Sequence, residues 1–148
     1  LHRGAGGDGR ARAGDGRWAV IRPKIIYLSH PVGAATDAGV QANLASARAW
    51  LGYLIANCPD VAWCVPWLPY LDVLKDTPTN RERGLRDDCA MVAMCDAILL
   101  VGRSVSPGMM QESAVIAELG RKIIDCTDRN GSSLLAAVGA VNEWVASC

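Results

Sequence analysis

The 148-residue sequence predicts a doubly wound α/β fold: a three-layer sandwich, flavodoxin-like or Rossmann-like, with helices on both faces of a parallel sheet of four to five strands. Three observations carry this expectation. Short β-rich apolar runs alternate with longer stretches of helical periodicity, an order that right-handed crossovers convert into a parallel sheet. The run Ala97-Ile98-Leu99-Leu100-Val101 is apolar without interruption, as a central strand covered on both faces must be. At 51% hydrophobic and 20% charged residues, the chain has the apolar content for one core and the length of one domain.

Residues 1–22 hold six Gly, five Arg and two Asp with almost no apolar periodicity, and read as a flexible tail ahead of a domain at 23–148. Ile25-Ile26-Tyr27-Leu28 is a short buried strand, closed by the turn His30-Pro31-Val32-Gly33. Thr36 or Asp37 caps a helix that runs to about Asn57, with Leu44, Ala47, Leu51 and Leu54 at helical spacing. Residues 61–65 form a second strand. Pro66, Pro69 and Pro78 then keep the chain irregular, and residues 81–95 return to a helix. The strand 97–101 leads into a helix that starts at Ser106-Pro107 and runs to Leu119, followed by a strand at 122–126 and a closing helix at 132–145.

Fifteen basic residues against fifteen acidic ones leave a formal charge of zero, and with it no electrostatic footprint for nucleic acid or an anionic membrane surface. The most apolar stretch, 91–101, is broken by Asp96 and falls short of the about 20 residues that cross a bilayer. A soluble, cytoplasmic protein is expected. The six cysteines form no CxxC pair and have no histidine near them at ligand spacing, so buried thiols are expected, with no metal and no other cofactor. Met91, Met94 and Cys95 are read as core filling.

In such folds ligands sit outside the carboxyl ends of the strands, which directs attention to the loops after Leu28, Val65, Val101 and Cys126. Ser106-Pro107-Gly108 combines an N-cap, a proline suited to the first helical position and a glycine that opens the backbone amides to an oxygen-rich ligand. Glu112 shares a helical face with Gly108, Met109 and Ile116, so it either points along the helix to that cleft or is an ordinary solvated carboxylate. Glu118 lies about 240° further round and faces water.

From Asp88 to Asp96 a helix descends about 12 Å, and the strand that follows climbs back about 13 to 16 Å, which returns Asp88 to the same cleft. Its apolar neighbours Met91, Val92 and Cys95 place it on a buried stripe, where a cap or an ion pair with Arg83 or Arg86 is the structural alternative. Asp96 is a turn residue at the opposite end of the sheet. Two converging carboxylates are the minimum kit for glycosidic-bond chemistry, one attacking the anomeric carbon and the other handling the proton of the leaving group. Tyr27, at the end of the first strand, either orients the nucleophile through its phenol or is a half-buried aromatic.

These residues resemble the nucleoside 2-deoxyribosyltransferase superfamily, including its 2'-deoxynucleoside 5'-phosphate N-hydrolase branch and a related phage-associated domain of unknown function. The similarity spans about residues 24–126. Its pieces are Ile26-Tyr27-Leu28-Ser29-His30-Pro31, Asn43 in the first helix, Asp88 ahead of Cys95-Asp96-Ala97-Ile98-Leu99-Leu100, and Ser106-x-Gly108-x-x-x-Glu112 running on to Ala117-Glu118-Leu119-Gly120. The resemblance implies that Glu112 is the nucleophile of a glycosyl-enzyme intermediate, that Asp88 serves proton transfer and base recognition, and that Tyr27 stands beside the nucleophile. It also implies substrate contacts from Ser29, His30, Pro31 and Asn43, and from Ser106, Gly108 and Met109, with Ser106 and Gly108 at the sugar or 5'-phosphate. The hydrolase branch carries a Gly-Ser and Arg-containing phosphate loop where this chain has Ser29-His30-Pro31-Val32-Gly33, so His30 is either a replacement anion contact or a turn cap. Residues 67–86 have no counterpart in the resemblance and hold the expected base-facing loop.

The expected activity is cleavage or transfer of the N-glycosidic bond of a 2'-deoxynucleoside or its 5'-monophosphate, without metal. The alternative is a non-catalytic nucleoside- or nucleotide-binding module of the same fold. A homodimer or higher homo-oligomer is expected because the resembled family builds sites across subunits, with Trp144 on the last helix as a candidate self-contact.

Overall fold

The topological switch point of the sheet falls between its first and third strands in sequence, and the site is built there. The structure, a computed structural model, describes residues 22–75, 77–128 and 133–148. The expected tail, apart from Arg22, lies outside them. The strands β1 (Lys24–Ser29), β2 (Val61–Cys64), β3 (Ala97–Gly102) and β4 (Lys122–Thr127) form one parallel sheet in the order β2-β1-β3-β4. This is the predicted doubly wound α/β sandwich, with four strands among the described residues. Register places Tyr27 beside Ile98 and Cys64, and Ser29 beside Leu100. The β2-β1-β3 order means that the chain leaves β1 in opposite lateral directions, which opens a crevice at the carboxyl ends of β1 and β3.

Helices α1 (Asp37–Asn57), α2 (Trp67–Val73), α3 (Pro78–Val92), α4 (Pro107–Glu118) and α5 (Leu134–Ala146) cover the two faces. Alternation along β1 sorts its side chains between two core clusters. Ile26 and Leu28 pack with Leu54, Leu99, Val101 and the α5 residues Ala137 and Val141. Tyr27 packs on the other face with Ile98, Leu100, Val92, Met109 and Ile116. Tyr27 therefore faces α3 and α4, the helices that carry the two carboxylates. Trp144 is half-buried against the first cluster, with the Lys24 ammonium 5.8 Å from its ring centroid.

The helix starts follow local capping chemistry. Of the two candidates, Thr36 is the N-cap of α1, its Oγ1 accepting from the Gly39 amide at 3.1 Å. Ser106 caps α4, with Oγ accepting from the Met109 amide at 3.3 Å and Pro107 in the first turn. Ser133 caps α5, and the expected start one residue earlier lies outside the described residues.

Three expectations need correction. The proline-rich stretch after β2 is not irregular: Trp67–Val73 is helical, because Pro66 stands at the N-cap and Pro69 in the first turn, where no amide hydrogen is required. Helix α3 begins at Pro78 rather than at residue 81, since Thr77 caps it through the Asn80 amide and Pro78 suits the first position. It ends at Val92 rather than at residue 95. Met94 is consequently beyond the helix and 70% exposed, while Met91, about 100° from Val92 round the helix, is 44% exposed; of the three expected core residues only Cys95 is buried.

Asp96 makes the corner at the amino end of the sheet. Its Oδ2 accepts from the Ile25 amide at 2.7 Å while its own amide donates to the Ile25 carbonyl at 2.8 Å. Asp96→Ala leaves the first of these donors without its partner and is expected to lower stability by about 1 to 3 kcal/mol, read from denaturant unfolding, with the far-ultraviolet spectrum unchanged. All six cysteines are thiols, with Cys58, Cys95 and Cys126 buried. Among the described residues no helix is long and apolar enough to cross a membrane, and no group of His, Cys, Asp and Glu is placed to hold a metal ion.

Candidate active site

A cavity of about 730 Å³ opens at the carboxyl ends of β1 and β3, and both Glu112 and Asp88 line it. Glu112 lies in the second turn of α4, on the face that also buries Met109 and Ile116, and is only 6% exposed. Its Oε1 accepts from the Tyr27 hydroxyl at 2.9 Å, and its Oε2 accepts from the Ser29 hydroxyl. Alternation along β1 puts these two donors, two residues apart, on the same side of the strand. Neither lines the cavity, so both approach the carboxylate from the protein side.

Asp88 comes from the middle of α3. The arginines that could have neutralised it turn to its neighbour: Arg86 meets Asp87 at 2.8 Å and Arg83 meets Asp87 at 3.7 Å. Asp87 is thereby held below the usual carboxylate range, whereas Asp88 is pushed up to about 7 by burial first and then by the negative charges of Glu112 and Asp87, against a hydrogen bond from Tyr27. Burial also raises Glu112, against the hydrogen bonds from Ser29 and Tyr27. Burial and the two carboxylates push the Tyr27 phenol far up, so it stays a hydroxyl and a donor. Burial raises both acidic groups on the cavity and the Glu112 charge raises Asp88 further, so the two titrate as a coupled pair.

The structure brings Glu112, Asp88, His30, Ser106, Gly108 and Met109 to the cavity wall, with Tyr27 and Ser29 immediately behind Glu112. The other two expected contacts, Pro31 and Asn43, shape the loop between β1 and α1. The Asn43 amide donates to the Val32 carbonyl at 3.0 Å. Pro31 lies against Gly102, whose φ of +98° no side chain would favour and where a Cβ would meet the proline ring at 2.7 Å. The Nδ1 of His30 is 2.7 Å from the Pro31 carbonyl, which can only accept, so Nδ1 carries the hydrogen. Burial lowers the basicity of the ring, and its neutral Nε2 accepts from the Ser46 hydroxyl at 3.1 Å. Both ring nitrogens are thus engaged in the turn, while the ring itself borders the cavity.

Sequence reasoning missed the part of the wall that Trp67 builds. Trp67 is buried, its Nε1 donates to the Leu28 carbonyl at 2.9 Å, and its ring lines the cavity with Tyr70 and Leu85. The segment expected as an irregular base-facing loop is therefore a short helix pinned to β1. The available signal was a tryptophan immediately after a strand and a proline. Glu118 is exposed, as expected.

No curated protein matches the chain. A family model does match, over residues 24–126, and the chain accordingly belongs to the family described as Domain of unknown function (DUF7768).

Proposed function

We propose that the protein cleaves or exchanges the N-glycosidic bond of a 2'-deoxynucleoside or a 2'-deoxynucleoside 5'-monophosphate. The observation that supports this most is the unlike pair of carboxylates on one cavity. Glu112 is held by two hydroxyls, and Asp88, whose neighbours Arg83 and Arg86 turn to Asp87, is pushed up to about 7. In the first step a Glu112 oxygen bonds to C1', the bond from C1' to the base nitrogen breaks, and its electron pair is quenched by the Asp88 proton. In the second, Asp88, now a carboxylate, takes a proton from water as the water oxygen attacks C1' and the Glu112 carboxylate leaves; a second base in place of water gives transfer. The Trp67 and Tyr70 wall gives the departing base an apolar neighbour. A homodimer or higher oligomer belongs to the same reading and is checked by light scattering at micromolar concentration.

The test is a product assay by liquid chromatography on a panel of deoxynucleosides and their monophosphates, with and without an acceptor base. Release of free base, or a new nucleoside, is expected from at least one member. If no member yields product, yet one raises the melting temperature, the site binds without turnover and the catalytic reading is wrong.

A further inference from the structure

Both oxygens of Glu112 receive a hydroxyl hydrogen from one strand, Oε1 from Tyr27 and Oε2 from Ser29. Ser29 is 1% exposed and does not line the cavity, so a bound ligand meets Glu112 and not Ser29. A phenol has a single hydrogen to give. That hydrogen goes to Glu112, while the Tyr27 hydroxyl also favours the charged form of Asp88, so Ser29 is the donor that serves Glu112 alone. We propose that Ser29 is a positioning residue which, together with Tyr27, fixes the negative charge of the carboxylate pair on Glu112 and the shared proton on Asp88. The catalytic consequence rests on the proposed function, whereas the charge assignment stands without it.

Asp88 is acted on by Tyr27 from β1, Cys64 from β2, Asp87 and Cys89 from α3 and Glu112 from α4, and it shares the cavity wall with His30, Lys75 and Arg81. On Glu112 the two hydroxyls act, with Asp88 and Cys89 facing it from α3. Glu112 is the more deeply buried of the two carboxyls, so what favours its charged form is the pair of hydroxyl donors. Without the Ser29 hydroxyl, Glu112 keeps one donor, its charged form is less favoured, and part of the shared proton moves onto the nucleophile.

Carbon-13 NMR titration of the side-chain carboxyls tests this, with signals assigned by their loss in Glu112→Gln and Asp88→Asn. In the wild type, Glu112 is expected to lose its proton at lower pH than Asp88. In Ser29→Ala the Glu112 midpoint moves up by about one pH unit, and Ser29→Thr, which restores a hydroxyl, returns it. In Ser29→Ala the acidic limb of the pH profile for base release moves up by the same unit, so the rate constant falls about tenfold on that limb, with KM unchanged. The proposal is overturned if Asp88 titrates below Glu112 in the wild type, or if folded Ser29→Ala titrates as the wild type does. Absence of base release from every nucleoside would instead count against the proposed function, and would leave the carboxyl titrations as they are.

Discussion

Glu112→Gln is expected to lower the rate of base release by about 10⁴- to 10⁶-fold while leaving the protein folded, because glutamine keeps the shape of the side chain and loses the attacking anion. The amide oxygen still accepts one of the hydroxyl hydrogens from Tyr27 and Ser29, and the amide nitrogen can donate to the other hydroxyl oxygen, so no buried polar group is stranded. The substitution has a second effect at a distance. Glu112 is the largest charge acting on Asp88, and its removal lets the Asp88 carboxyl titrate nearer the ordinary range. The residual rate in Glu112→Gln should therefore show no fall near pH 7, in contrast to the wild type. Chromatographic rates between pH 5 and 9, with circular dichroism to confirm folding, check both. A variant that keeps its rate within tenfold of wild type would mean that attack on C1' comes from elsewhere.

Local chemistry made much of this arrangement legible in the sequence. Ser106-Pro107 announces the start of α4 because a serine oxygen and a proline satisfy a helix terminus without help from the rest of the fold. Fixed rises per residue bring Asp88 back to the strand ends, and the switch point then selects the loops where it meets Glu112. Contacts that depend on tertiary distance were not legible. The direction of the Ser29 hydroxyl follows from how closely α4 packs on β1, 83 residues away in sequence. The Trp67 anchor spans 39 residues in the same way. Prolines misled the reading of α2 because their cost depends on position: in a first turn they remove an amide hydrogen that has no helical partner. Met91 and Met94 misled it because an apolar residue at a helix end is buried only when some other element covers it, and the helix stops at Val92.

Asp88→Asn is expected to slow the proposed base release and to stabilise the protein, and the sign of each effect follows from one titration. Asp88 has to be protonated to deliver a hydrogen to the departing base, so the wild-type rate should fall as pH rises through about 7. Asparagine has no such proton, and a loss of about 10²- to 10⁴-fold is expected below pH 7, with a residual rate that no longer depends on pH there. For stability, burial and the Glu112 and Asp87 charges raise the folded value above the ordinary 3.8. Between about pH 4 and 7 the native state holds a proton that the unfolded chain has released, so unfolding free energy declines as pH rises through that window. Above about pH 7 the native state carries the whole penalty of a buried charge beside like charges, and asparagine carries none of it. Melting temperatures should therefore place Asp88→Asn above wild type at pH 8, with the advantage gone at pH 4. A carboxylate kept for structure would show the opposite order at pH 8, and an ordinary surface carboxylate would show no difference at either pH. Only a group held in an unfavourable state for the sake of its proton both weakens the fold and speeds the reaction, so a less stable Asp88→Asn at pH 8 would remove Asp88 from the chemistry.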